Sequence, residues 1–227
     1  MSNEPIRLPD GTVLTGEVFA EAFRKPAGPL GRLAVEFLAG RSGYDYVVAT
    51  QAMRPLDMGL LIEVGCADGR FAENLWRDLV CGNYLGIDHA PEMIEAAVDR
   101  NQIMVMMGAM RFACAPADNI PWGDGMAGGL LCLNMLIFVL DPEPVFREFA
   151  RVLRPGAQVV IGWPLEPVPD GAPLPDAVHA VMRWHDADDI ATALMDAGFH
   201  NPGWTIYPGR EVGRATDWAL MIAHREG

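Results

Sequence analysis

The stretch Leu61-Ile62-Glu63-Val64-Gly65-Cys66-Ala67-Asp68-Gly69-Arg70-Phe71 decides the fold. Leu61, Ile62 and Val64 are apolar, and an acid, Glu63, sits among them near the strand end. Small residues then follow at Gly65, Ala67 and Gly69 before an apolar, helix-forming run begins. This reads as a buried strand, a tight turn and the first turn of a helix. Small residues let a ligand approach the backbone closely, and a helix start turns free N–H groups toward it. The spacing is small-x-small-x-small, which differs from the G-x-G-x-x-G of dinucleotide-binding turns.

Outward from this stretch the pattern alternates. Strands are expected over 60–64, 84–88, 111–115, 129–133 and 158–162, and helices over 70–79, 91–107 and 142–153. Arg154-Pro155-Gly156 reads as a sharp stop between the last of these helices and the next strand. Strands alternating with helices indicate an α/β fold, a mostly parallel sheet with helices on both faces. The last third changes character: a proline-rich acidic loop over 166–175, helices over 176–184 and 186–197, and strands over 205–207 and 218–224. The short connection between those two strands suggests an antiparallel pair at the sheet edge. Before the alternating region, 7–14 carries a Pro-Asp-Gly turn signal for a small hairpin, and short helices are expected over 17–24, 30–39 and 46–53. Residues 1–57 thus form a helical extension or cap, and 58–227 the main domain.

Composition sets outer limits. The chain has 227 residues, is 51% hydrophobic and 21% charged, and so can build a large core. Its longest apolar run, 129–140, contains Asn134 and is too short to span a membrane. The polar N-terminus does not read as a secretory signal. Cys66, Cys81, Cys114 and Cys132 show no C-x-x-C pairing and read as reduced thiols of a cytoplasmic protein, with no metal site. The net charge is −13, and residues 1–57 hold seven acids against six bases, so nearly all the excess lies in the main domain. Such a charge repels a phosphate backbone and argues against nucleic acid as a partner.

Four segments, in order, resemble the class I S-adenosylmethionine (SAM) methyltransferases, of the small-molecule, ubiquinone/menaquinone-biosynthesis-like type. The opening stretch is similar to the family's first motif, acid-x-Gly-x-Gly-x-Gly. Tyr84-Leu85-Gly86-Ile87-Asp88-His89-Ala90-Pro91-Glu92-Met93-Ile94 resembles the second, Phe146 to Gly156 the Glu-x-x-Arg-Val-Leu-Arg-Pro-Gly-Gly signature, and Ala197-Gly198-Phe199 the usual Ala-Gly-Phe. The resemblance covers about 60–225. It implies a Rossmann-like seven-stranded sheet with an antiparallel edge strand, SAM as cofactor, and methyl transfer to an oxygen, nitrogen or carbon of a small-molecule acceptor. It departs from the family at Ala67, which replaces a glycine; at Pro116, where an adenine-binding Asp is usual; and at Ala127-Gly128, where Phe-Asp is usual.

The resemblance assigns roles residue by residue. Glu63, Gly65, Cys66, Ala67 and Gly69 would surround the amino-acid end of SAM. Asp88 would accept hydrogen bonds from the ribose hydroxyls, beside His89. Met93 would pack on adenine, and Ala117 or Asp118 would recognise its edge. For catalysis the candidates are Asn134, after the fourth strand, and His185, at the start of a helix and in the region facing the acceptor. His179 is a weaker candidate. Tyr44, Tyr46 and Trp163 are candidates for the acceptor pocket, and Phe19, Phe23 and Phe37 could close over it. A non-catalytic SAM-fold module, a SAM-fold enzyme transferring another group such as aminopropyl, and an NAD-dependent dehydrogenase are the alternative readings. The acceptor's identity and the oligomeric state, a homodimer among the options, stay open.

Overall fold

A computed structural model of the chain describes residues 6–7, 13–14, 21–22, 28, 31, 43–56, 59–165, 182–209 and 216–227. Phe19, Phe23, Phe37, His179, most of the short helices expected over 17–24 and 30–39, and the loop over 166–175 lie outside the described residues.

Strands β1 (Ile6–Arg7) and β2 (Val13–Leu14) pair antiparallel, Ile6 against Leu14 and Arg7 against Val13. A helix over 43–52, α1, precedes the main sheet. The sheet then builds from β3 (Leu60–Val64), β4 (Asn83–Asp88), β5 (Met110–Cys114), β6 (Ala127–Leu133), β7 (Leu153–Pro164), β8 (Phe199–Tyr207) and β9 (Trp218–Arg225). The helices between them are α2 (Ala72–Asp78), α3 (Pro91–Arg100), α4 (Gln102–Met106), α5 (Glu143–Val152) and α6 (Ala187–Asp196). The seven strands lie in the order β5-β4-β3-β6-β7-β9-β8. All neighbours are parallel except at β9, which runs antiparallel to both β7 and β8.

The pattern follows from burial. Every residue of β6 is buried, as expected of a central parallel strand covered on both faces. One core layer packs Phe146, Phe149 and Val152 of α5 and Ile190 and Leu194 of α6 on Ile62, Leu130 and Ile161. The opposite layer packs Leu75 and Leu79 on Leu61, Leu131 and Val160, and there Val48 and Ala49 of α1 and Met53 just past it join it. The segment preceding β3 therefore shares the domain's core.

Two expectations about boundaries change. Arg154-Pro155-Gly156 does not separate helix from strand. α5 runs straight into β7, and these residues form a bulge at its start: Ala127 pairs with Leu153, then Gly129 with Gln158. Proline lacks an N–H for the ladder and Gly156 takes φ +75°, so the extra residues loop out and the strand resumes. The helix expected over 91–107 is two helices. Asn101 breaks it, because its amide donates to Ala97 O (2.9 Å) and to Gly69 O (3.0 Å).

Candidate functional site

The sheet order reverses between β3 and β6: β4 and β5 extend it one way, β7, β9 and β8 the other. A crevice forms at the carboxyl ends of strands at such a switch point, where ligands of open α/β sheets bind. The loop after β3 lies there. Gly65 takes φ +81°, and its N–H and that of Cys66 donate to Ile87 O at 2.8 and 3.0 Å, turning the chain over the end of β4. A Cβ on Gly65 would stand 3.1 Å from Met135 Cβ, so only glycine leaves this cradle open. Gly69 (φ +62°) is enclosed by Asn101, Ala97 and Phe112.

Asp88, at the end of β4, holds the loop in place. Its Oδ2 accepts from Ala67 N (3.0 Å) and its Oδ1 from Ala90 N (3.0 Å), with His89 Nδ1 3.6 Å away. A carboxylate offers about four acceptor positions, so two remain for a diol placed against it. Beneath the loop, Asp68 is gripped by Arg70 (2.8 Å) and Arg100 (2.8 Å). Burial alone would raise Asp68, but hydrogen bonds and charge from these guanidiniums win and hold its carboxyl below the usual range.

Glu63 is 2% exposed and stands behind the loop. Its two oxygens accept from the hydroxyls of Tyr46, on α1, and Tyr84, on β4. Burial pushes its carboxyl up despite those two donors, with further repulsion from Asp88 and Asp68. Burial and the charge of Glu63 push both tyrosine hydroxyls up as well. A second set of bonds involves Asn134, just past β6, in a left-handed conformation with φ +59°. Its Nδ2 donates to Asp45 Oδ2 (2.9 Å) and its Oδ1 accepts from Trp218 Nε1 (2.9 Å). The indole can only donate and an ionised carboxylate only accept, which fixes the amide's orientation.

These parts enclose a cavity of about 620 Å3, within the range typical of small-ligand sites. Of the residues singled out from the sequence, Gly65, Cys66, Ala67, Asp88, His89, Met93, Ala117, Asp118, Asn134 and Tyr46 line it. Gly69 and Glu63 support that wall from outside. Three candidates stand elsewhere. Tyr44 is 43% exposed and packs edge-on against Tyr207. Trp163 is buried in the core and donates to the backbone oxygen of His185 (3.0 Å). His185 points its Nε2 at Leu136 O (3.1 Å) and Val139 O (3.0 Å), so it carries a proton there and pins the turn after β6 rather than facing the cavity. Sequence reasoning missed the wall made by Met135, Phe138, Val139, Pro144 and Val145, and the ion pair of Asp68 with Arg70. The apolar run through 135–140 was the available signal. Among the described residues, His89 is the one histidine in the lining, and no cluster of His, Cys, Asp and Glu is arranged to hold a metal.

Residues 62–161 match the family model described as a methyltransferase domain. The O-methyltransferase cnsE of Penicillium expansum is 28% identical over 147 residues, covering 61% of this chain and 51% of that protein. The chain spans about half the length of the curated relatives it matches. Among solved structures, phosphoethanolamine N-methyltransferase 2 of Haemonchus contortus, in complex with phosphomonomethylethanolamine and S-adenosylhomocysteine, superposes with a TM-score of 0.74 at 13% identity, covering 95% of this chain and 61% of that one. The [4+2]-cyclase SpnF superposes with a TM-score of 0.65 at 19% identity, covering 80% and 81%. At these identities the structures speak for the fold alone, and the stretch matched by the family model runs from β3 through β4 and β6 into β7. Over 62–161 the chain matches the family model of a methyltransferase domain, and its fold is that of phosphoethanolamine N-methyltransferase 2.

Proposed function

We propose that this chain is a SAM-dependent methyltransferase acting on a small-molecule acceptor. The observation that carries the reading is Asp88 at the switch point, lining the cavity with acceptor positions to spare beside the Gly65–Gly69 loop. The cradle fits the cofactor. The carboxylate suits a ribose diol, the open space over Gly65 suits the amino-acid end, and Met93 and Ala117 give flat apolar walls for an adenine ring. Bound SAM would supply a methyl group on a positively charged sulfur, open to attack by an acceptor lone pair.

The chain's own contribution is then placement and exclusion of water. Phe71, Leu133, Met135, Phe138 and Val139 make one apolar flank of the cavity. Holding two reactants in line supplies about 7–11 kcal/mol of a barrier. With His89 beside Asp88 and His185 committed to the turn, the described lining offers no free imidazole for proton abstraction. An acceptor that reacts as a neutral nucleophile or through a group that ionises readily needs no imidazole base. The named O-methyltransferase relatives favour oxygen. A net charge of −13 disfavours polyanionic acceptors, and four free thiols fit a reducing compartment such as the cytoplasm.

Calorimetric titration with S-adenosylhomocysteine, and with NAD as control, tests the cofactor. Asp88→Ala is expected to weaken S-adenosylhomocysteine by more than about 1 kcal/mol through lost ribose hydrogen bonds. Wild-type affinity in a folded variant would refute the assignment. Labelled SAM offered with a panel of phenols, amines and enolisable ketones separates methyl transfer from binding alone or from another reaction on the same fold.

A further inference from the structure

We propose that the outer edge of β8 is a self-association surface, and that the partner it fits is a second copy of this chain, joined strand to strand about a twofold axis at Thr205. β8 ends the seven-stranded sheet, and among the described residues no strand pairs with its outer edge. An edge strand presents a row of unpaired N–H and C=O groups, and chains blunt it with charges, proline or a bulge. Here those devices cover only the first half of the strand. The register shifts between His200 and Gly203, Asn201 takes φ +51°, and residue 202 is a proline. From Gly203 the ladder is regular, Gly203 to Tyr207 pairing in step with Ile222 to Trp218. This second half is undefended: Asn201-Pro202-Gly203-Trp204-Thr205-Ile206-Tyr207 carries no charge, and Trp204 and Ile206 are 39% and 49% exposed.

The pattern is complementary to itself. Antiparallel pairing centred on Thr205 sets Trp204 opposite Ile206 of the second copy, and Ile206 opposite its Trp204. Both side chains lie on the face of Met221 and Ala219, the face that α6 covers with Ile190 and Leu194. Aromatic residues opposite β-branched ones are among the stabilising cross-strand pairs. On the other face Tyr207 comes opposite Gly203 of the second copy. The space over Gly203 is open, since a Cβ there would meet nothing within 4 Å, and an aromatic ring beside an edge glycine shields its backbone. The twofold axis makes each of these pairs twice. Charge selects the occupant as well. Two chains of net charge −13 repel over most of their surface, and 201–207 is a stretch where they can meet without opposing like charges. The other sheet edge is less suited. Ile103, Met106 and Met107 are exposed beside β5, but β5 itself carries the exposed Arg111.

Sedimentation velocity of the full chain, from micromolar to millimolar concentration, tests the surface in wild type, Ile206→Lys and Met106→Lys. Wild type is expected to pass from monomer to dimer as concentration rises. Ile206→Lys puts a charge on each copy at the contact, and should raise the dissociation constant about tenfold or more, with thermal unfolding showing that the variant is folded. Met106→Lys, at the other edge, should dimerise as wild type does. The register is read with Thr205→Cys in a Cys114→Ser background, because Cys114 is the exposed native thiol. Opposed residues of antiparallel strands have Cα atoms about 4.5–5.5 Å apart, within reach of a disulfide. Mild oxidation should therefore give a covalent dimer of that variant and none of Cys114→Ser alone. Should Ile206→Lys not fold, the cross-link decides by itself. A wild type that stays monomeric throughout overturns the proposal. So does a dimer that Ile206→Lys leaves at wild-type affinity, one that Met106→Lys dissolves in its place, or a Thr205→Cys chain that does not cross-link.

Discussion

At the scale of single residues, Ala67 is the clearest departure from the family's pattern, and the structure shows what it does. It sits at φ +47°, where a Cβ crowds the following carbonyl. Gly65 and Gly69 on either side also have positive φ and need no compensation. The loop tolerates alanine because Ala67 N is tied to Asp88 and its small side chain packs beside Ala90 and Met93. Ala67→Gly should therefore stabilise the fold by about 1 kcal/mol, read as a higher urea midpoint with unchanged slope, and should leave S-adenosylhomocysteine affinity intact. A lower midpoint would mean that the methyl group's packing outweighs the backbone strain. Gly69→Ala should do the opposite. Its Cβ would fall 2.8 Å from Asn101 Nδ2 and 3.0 Å from Ala97 Cβ, and overpacking on a left-handed backbone costs about 1–3 kcal/mol. The loop was legible in sequence because small residues have few other uses there. The partners of Glu63 were not, since Tyr46 and Tyr84 come from distant elements and ordinary apolar patterns.

At the scale of elements, the segment before α6 locks the turn after β6. Arg183 N donates to Ile137 O (2.7 Å), His185 Nε2 bridges Leu136 O and Val139 O, and Trp163 Nε1 holds the His185 carbonyl. That turn carries Phe138 and Val139 into the cavity wall. His185→Ala should lower stability by about 1 kcal/mol, the net worth of a lost hydrogen bond, since Leu136 O still accepts from Val139 N, and His185→Gln, which retains a donor, should recover part of it. The check is thermal unfolding beside the pH dependence of turnover. A general base at this position would take the acidic limb of the profile with it, whereas a pin for the turn leaves the limb unchanged. The sequence placed His185 correctly, at the mouth of α6 beyond the asparagine-containing apolar run. It could not reveal where the imidazole points, because that depends on carbonyls some fifty positions away. The break at Asn101 was hidden for a related reason. An asparagine inside a helical pattern is common, and only the neighbouring Gly69 carbonyl gives its amide a second partner.

At the scale of the whole molecule, alternation of strands and helices made the parallel sheet readable, and the strand order was beyond sequence alone. That β9 inserts between β7 and β8 follows from packing. Trp218 lies over Gly162, where no side chain fits, and reaches Asn134 from there. The same packing gathers acids at one end of the sheet, where burial, with Asp88 and Asp68 adding to it, raises Glu63, and Arg70 and Arg100 hold Asp68 down. Their opposite responses to pH can be separated. Glu63 is raised in the folded state above its ordinary 4.5, chiefly by burial. The native protein thus binds this proton more tightly than the unfolded chain, and its contribution to stability is fully present below 4.5 and is lost as pH rises through the folded value. Asp68 and Glu148 are held below their ordinary values with help from neighbouring arginines, so their contributions are present at neutral pH and are lost on acidification. Glu63→Gln removes only the first effect. Measured by urea unfolding from about pH 7 down to about pH 5, the stability of wild type relative to Glu63→Gln should rise as pH falls. A constant difference across that range would mean that Tyr46 and Tyr84 stabilise the ionised carboxylate enough to cancel its burial.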